Sequence, residues 1–204
     1  DKKDLGVHTE MITNSILELV EAGVVTGQRK NINRGIIIGA FSRGSRKLYD
    51  FMDRNPCVAM NPCSYVNNPN VIARNYKMVS VNTAMGIDLL GQVSSESIGY
   101  MQYSGSGGQV DTVTGAIHAT GGKSIIALAS TAKNGTLSKI CLSHGPGTAV
   151  TLSRNDVDYV ATEYGIVRLS GRTVKERAKL LISIAHPRFR DELTAQAGKA
   201  GLLL

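Results

Sequence analysis

The 204-residue chain reads as an α/β protein, a three-layer α/β/α domain around a mostly parallel, partly mixed central sheet. Three observations predict that class. Short apolar runs between glycines, such as Gly35-Ile36-Ile37-Ile38-Gly39-Ala40-Phe41, have the length and bounds of buried strands. Amphipathic helical segments alternate with such runs in short units, the pattern that builds parallel sheets. A series of candidate strands between Ser124 and Ala161, with gaps of hairpin length, makes part of the sheet mixed.

The elements follow in order. Thr13-Asn14-Ser15, then Ile16, Leu19 and Val20, then Gly23, predict a capped helix, with Ser15 and Glu18 at capping-box spacing. After the glycine-bounded strand, Leu48, Phe51 and Met52 lie on one side of a helix over 45–54, and Cys57–Met60 forms a short strand. Pro69 opens a helical turn through Ala73, at the position where its missing N–H costs nothing. From Lys77 the period becomes two, with Met78, Ser80 and Asn82 set against Val79, Val81 and Thr83. Strands are expected at 124–130, 138–142 and 157–161, with 149–152 a weaker one, and helices at 174–185 and 187–197 close the chain. No repeat, low-complexity tract or domain-splitting linker interrupts residues 1–204, so one domain is expected.

Composition excludes several classes. With 42% hydrophobic and 19% charged residues the chain is not disordered. Its longest apolar runs are far too short to cross a bilayer, and Asp1-Lys2-Lys3-Asp4 leads into no secretory apolar stretch. The expectation is a soluble, cytoplasmic protein without a membrane partner. Three cysteines (Cys57, Cys63, Cys141) at no metal spacing are expected to be buried, reduced thiols, and the four scattered histidines suggest no metal site. The net charge of +7 is concentrated at the C-terminus, with eight basic against three acidic residues from Ile166 to Leu204. That surplus suits the solvated faces of two helices, or the attraction of a phosphorylated small molecule. No aromatic-interleaved basic motif accompanies it, so nucleic acid is not the expected partner. The chain opens without methionine and in the middle of its first element, as a piece of a longer protein would.

Two features carry candidate chemistry. Ser104-Gly105-Ser106-Gly107-Gly108-Gln109 lacks the spacing of a dinucleotide loop, and Asp111 is too close to bind a ribose. Successive glycines before a helix can nonetheless turn N–H groups toward an anion, although the loop can equally be only a tight turn. Glu10 stands among small and apolar residues just ahead of a helix. It is either a reactive carboxylate or an acid placed for the helix dipole.

Leu5-Gly6-Val7-His8-Thr9-Glu10-Met11, with Glu18–Gly23, resembles the start of the C-terminal half of the acetyl-CoA hydrolase/transferase family. The resemblance continues through Asn82–Val93, Ser104–Asp111, Ser130-Thr131-Ala132-Lys133 and Ala161-Thr162-Glu163-Tyr164-Gly165, so it covers essentially the whole chain. Within the family it is nearest the 4-hydroxybutyrate and butyryl-CoA:acetate CoA-transferase types. One departure is Thr112, where the family usually has an aromatic residue.

The resemblance implies a CoA-transferase fold of the NagB/RpiA-like kind, and a mechanism. Glu10 would attack an acyl-CoA thioester to give an acyl-glutamyl anhydride, then a glutamyl-CoA thioester that a second carboxylic acid reverses. Gly107 and Gly108 would supply backbone donors to the oxyanions. Asn61, Asn68, Gly108, Gln109 and Lys133 would hold CoA, and Glu163 would support the active-site loop. No tightly bound cofactor is implied; coenzyme A and acyl-CoA are substrates, with short-chain carboxylates such as acetate, butyrate or 4-hydroxybutyrate as acceptors. Family members are about twice this length, so an N-terminal domain, and by analogy a homodimer, are expected partners, and the 204 residues alone are expected to be nearly inactive. Acyl-CoA hydrolysis by the same glutamate is the alternative within enzymes. A catalytically silent CoA-binding module is the alternative outside them.

Overall fold

The computed structural model describes residues 2–204, which group into two compact units. The first comprises Asp1–Met78 with Thr114–Gly122, and the second Val79–Val113 with Lys123–Leu204.

The first unit runs β1 (Met11–Thr13), α1 (Asn14–Glu21), β2 (Ile37–Gly39), β3 (Phe41–Arg43), α2 (Arg46–Met52), β4 (Val58–Met60), α3 (Cys63–Val66) and α4 (Pro69–Ala73). Its strand pairs are parallel: Met11 stands opposite Phe41 in β1–β3, and Ile37 opposite Val58 in β2–β4. Leu17 of α1, Ile12, Val25, Ile37 and Leu48 form the core, and Ile16, Val20, Phe51, Met52 and Val58 pack around them. Burial of such side chains contributes roughly 1.5–3 kcal/mol each. Helix α1 ends where Gly23, at φ +68°, takes the left-handed conformation. Its N–H donates to Val20 O, and those of Val24 and Val25 to Leu19 O, which closes the last turn of the helix.

In the second unit come β5 (Val79–Thr83), β6 (Gly86–Asp88), β7 (Val93–Ser94), β8 (Ser97–Ile98), β9 (Met101–Gln102) and α5 (Gln109–His118), whose last residues belong to the first unit. Then follow β10 (Lys123–Ala127), β11 (Thr131–Ala132), β12 (Leu137–Ser138), β13 (Ile140–Cys141), β14 (Tyr159–Thr162), β15 (Gly165–Arg168), α6 (Val174–Ser183) and α7 (Pro187–Lys199). The largest sheet has the order β15-β14-β10-β5. β10 pairs in parallel with both β5 and β14, and β14 turns back antiparallel into β15. The fold is thus α/β with mixed sheets. Among the described residues pairing is divided among six small sheets, the largest of four strands.

The period-two segment is strand β5, and its buried residue is polar: Ser80 is enclosed while Val79 and Val81 are 51% and 63% exposed. Asn82 accounts for part of this, because its amide donates to Ser80 Oγ and to Thr112 Oγ1 on α5. Thr112, the departure from the family pattern, is therefore a hydrogen-bond partner of the strand. Buried Asp88 explains the Ile87–Val93 motif: its carboxylate accepts from Leu90 N, Gln92 N and Gln92 Nε2 and closes the turn into β7.

Three expectations change. Cys57 and Cys63 are exposed, in the turn before β4 and at the start of α3, and Cys141 is half-buried. Burial, with Asp88 nearby, raises the Cys141 thiol to about 11. The N-cap of α1 is Thr13, without a side-chain bond, so Ser15 lies inside the helix and forms no capping box. The capping box of the chain is Thr173 with Glu176, at α6. Arg177, counted among the solvated cations, is buried and donates to the carbonyls of Leu90, Arg154 and Arg172. Among the described residues no helix is long and apolar enough to cross a membrane, and no three His, Cys, Asp or Glu side chains cluster as a metal site.

Candidate active site

Glu10 sits at the bend before β1, so the three residues of that strand separate it from the first turn of α1. The dipole reading of this carboxylate therefore fails: α1 has no acidic residue in its first turn. Its backbone is pinned where β2 passes into β3, because Glu10 O accepts from both Ala40 N (2.9 Å) and Phe41 N (3.0 Å). The half-buried side chain receives Asn67 Nδ2 on Oε2 at 2.5 Å. Oε1 has no hydrogen-bond partner among the described residues. One carboxylate oxygen is held by a neutral donor and the other is free.

The segment leading to Glu10 is anchored by two bases, half-buried Lys30 and buried His8. Lys30 Nζ donates to Val7 O (2.9 Å) and Ile36 O (2.6 Å), and burial lowers its pKa to about 8. His8 lies in a parallel bridge with Ile38, and its Nε2 is 2.8 Å from Val66 O. A carbonyl only accepts, so Nε2 carries the proton. Burial pushes His8 below its ordinary pKa, aided by the Lys30 charge and opposed by the Val66 bond, so the ring is neutral at pH 7.

The other expected residues of this unit do different things. Asn68 Oδ1 accepts from Asn70 N and caps α4, so this side chain is engaged in structure. Asn61, half-buried, follows β4, and its N–H donates to Gly39 O. Asn67, absent from the sequence-based set, is the residue that reaches Glu10. Only its neighbour Asn68 drew notice, because the contact spans 57 residues and no local motif marks it.

In the second unit the glycine-rich loop opens α5 as expected. Gly107 is exposed at φ +56°, a conformation that L side chains rarely adopt, and a Cβ there would meet open space. Gly108 is buried and its carbonyl accepts from Thr112 N in the first turn. Neither glycine N–H has a backbone acceptor among the described residues. Gln109 is 5% exposed with both amide atoms unpartnered.

Two motifs far apart in sequence meet at the carboxyl ends of β10 and β14. Glu163 at the tip of the β14–β15 turn accepts from Ser130 N (2.9 Å) and Ser130 Oγ (2.5 Å). The Ser130 hydroxyl is the chief cause that holds this carboxyl below its usual pKa. Ala127, Leu128, Ala129, Ala161, Thr162 and Glu163 line an open cavity of about 510 Å³ there. Carboxyl ends of parallel strands are where α/β sheets take ligands. Lys133 is exposed in the β11–β12 turn at φ +49°, and its carbonyl accepts from Thr136.

Fold and site together define a class: an α/β domain that presents a pinned carboxylate in one unit and a glycine-rich helix entrance in the other. The chain belongs to the acetyl-CoA hydrolase/transferase family, whose C-terminal domain profile matches residues 44–197. Relatives matched over 98–99% of this chain extend the likeness to the segment that holds Glu10. The 4-hydroxybutyrate coenzyme A transferase of Clostridium kluyveri is 52% identical over 193 residues, which are 95% of this chain and 45% of that protein. The butyryl-CoA:acetate CoA-transferase of Anaerostipes caccae is 43% identical over 98% of this chain and 46% of its own length. RipA from Yersinia pestis superposes with a TM-score of 0.93 at 44% identity, over 99% of this chain and 46% of that one. A more distant relative, 27% identical over 97% of the chain, is the acetyl-CoA hydrolase of Yarrowia lipolytica. The chain thus spans less than half the length of the curated relatives it matches.

Proposed function

We propose that the chain is the CoA-handling domain of a CoA-transferase that moves CoA between an acyl-CoA and a short-chain carboxylic acid. The observation that carries the reading is the half-engaged Glu10 carboxylate, with Oε2 held by Asn67 and Oε1 free. Oε1 attacks the thioester carbonyl and the C–S bond breaks, which leaves an acyl-glutamyl anhydride and CoA thiolate. The thiolate attacks the glutamyl carbonyl and releases the first acid as carboxylate. The product is glutamyl-CoA thioester. A second carboxylate attacks that thioester and reverses the two steps, which regenerates Glu10 and a new acyl-CoA. Only a carboxylate nucleophile makes donor, enzyme and acceptor chemically equivalent.

Asn67 contributes at the glutamyl carbonyl. Once Oε1 is acylated, Oε2 is the carbonyl oxygen that gains charge as thiolate attacks, and the Asn67 amide is already directed at it. Gly107 and Gly108 are assigned to the oxyanion on the substrate side through the family motif. Gln109, Asn61, Asn68 and Lys133 are assigned to CoA, and Glu163 to support of the Ser130–Lys133 loop. CoA is a substrate in this scheme, and no tightly bound cofactor is needed.

The remaining partner is the preceding half of a longer chain. A parallel sheet is normally covered on both faces, yet Val79, Val81 and Ile166 are exposed, as are Ile98, Tyr100, Met101 and Tyr103 beside the glycine loop. Coverage by that half supports the expectation that residues 1–204 form one domain of the protein and turn over little alone. A cytoplasmic homodimer completes the proposal by family analogy.

The test uses the full-length protein with acetyl-CoA and excess butyrate, read by mass spectrometry. Butyryl-CoA without free CoA, together with a CoA-mass adduct on the peptide containing Glu10, is the expected result. Free CoA alone indicates the hydrolase of the distant relatives, in which water replaces the acceptor acid.

A further inference from the structure

We propose that His8 is a positioning residue for Glu10 that acts through the Val66–Asn67 peptide, an inference that rests on Glu10 as the nucleophile. The sequence around Val66 leaves its carbonyl without a local donor. Helix α3 ends there, and the last carbonyls of any helix lack intrahelical partners. Three residues on stands Pro69, which has no N–H. Four residues on, the Asn70 amide is taken by Asn68 Oδ1, and the Val71 amide by Asn68 O. Val66 is buried, so water does not supply the bond either. His8, 58 residues upstream, does so with Nε2 at 2.8 Å.

That carbonyl belongs to the same planar peptide group as the Asn67 nitrogen. Fixing the Val66 oxygen therefore fixes the plane from which Asn67 departs, and Asn67 Nδ2 ends on Glu10 Oε2. Glu10 lies two residues from His8 on one extended segment, so the connections close a ring from His8 through Val66 and Asn67 back to Glu10. The ring carries a cost: His8 Nδ1 is buried with no protein partner, which a leucine would avoid. Retention of that cost is understandable if the Nε2 proton is what the site requires. Lys30 braces the same segment through Val7 O.

Two substitutions separate the donor from the packing. In His8→Gln the side-chain nitrogen reaches the place of Nε2, whereas in His8→Asn it reaches only that of Nδ1; His8→Leu keeps bulk without a donor. In the full-length protein, His8→Asn and His8→Leu should lower kcat about tenfold, equivalent to about 1.4 kcal/mol, with the acyl-CoA KM unchanged. His8→Gln should restore most of the rate. In an Asn67→Ala background the His8 substitutions should cost nothing further. Equal losses in His8→Gln and His8→Asn, or an undiminished loss without Asn67, would overturn the proposal. If His8→Leu does not fold, the Gln and Asn pair decides.

A readout free of turnover is the side-chain amide signal of ¹⁵N-labelled Asn67, assigned by its loss in Asn67→Ala and shifted by Glu10→Gln. His8→Asn should move it toward the Glu10→Gln position, and His8→Gln should not. If the wild type transfers no CoA but this pattern holds, the positioning role stands and the transferase reading falls. If transfer is present and the signal ignores His8→Asn, the positioning role falls.

Discussion

Glu10 and Glu163 are both carboxylates that accept hydrogen bonds from neutral partners far away in sequence, yet their surroundings occupy them to different extents. Glu163 has both oxygens occupied, one by the Ser130 N–H and one by its hydroxyl, and this stabilises the anion and lowers its pKa. A carboxylate so satisfied makes a good strut and a poor nucleophile. Glu10 has one oxygen held, one free, and a carbonyl locked by two amides where β2 passes into β3. Full satisfaction serves structure, and partial satisfaction on a rigid backbone leaves a group able to react.

That contrast predicts a hierarchy of effects in the full-length protein. Glu10→Gln should abolish transfer, by roughly 10⁴-fold or more, while CoA affinity survives. Glu163→Gln should leave a readily measurable rate. Comparable losses at the two positions, measured side by side, would break the distinction. Next in size, a side chain at buried Gly108 should crowd the thioester and push the substrate oxyanion away from the N–H, a loss of up to about 10²–10³ in kcat, with the fold intact by circular dichroism. Asn67→Ala should cost about 10² through the weakened glutamyl carbonyl, and it should slow decay of the glutamyl-CoA adduct in single turnovers.

Ser130→Ala sharpens the comparison from the structural side. It should lower stability by about 1 kcal/mol and leave kcat within a few-fold. The Glu163 pKa is lower in the folded state, so its contribution is present above its ordinary value near 4.5 and is lost as pH falls through the folded value. The difference in denaturation midpoint between wild type and Glu163→Gln should therefore shrink between pH 6 and 3.5. The bases around Glu10, whose pKa values are also lowered, give a slope of the same sign in other pH windows. Lys30 has its pKa lowered to about 8, so between about pH 8 and 10.5 the unfolded chain binds the proton that the native state has released. Stability conferred by Lys30 relative to Lys30→Met should then rise with pH across that window. His8, also lowered, should make the native state lose stability as pH falls below 6.5, and His8→Gln should flatten that slope.

Much of the fold was legible from local rules. The turn at Pro69, the helix closed by Gly23 and the two terminal helices lie within a few residues of their expected bounds, because caps and periodicity act within one or two helical turns. Strands β1, β3 and β15 were missed. They are three or four residues long; β1 and β3 are defined by pairing between Met11 and Phe41, distant in sequence, and β15 is only the short return strand of a tight turn from β14. In β5 the period was right and the apolar side proved the exposed one, since Asn82 and Ser80 bond inward.

The sequence by itself determined the α/β class and the family, because chemical identity and short-range spacing carry that information. Only the tertiary structure decided which groups hold Glu10. Hydrogen bonds are short and directional, and Asn67, His8 and Ser130 reach their partners only after parallel strands and helix ends from distant parts of the chain have been brought into register.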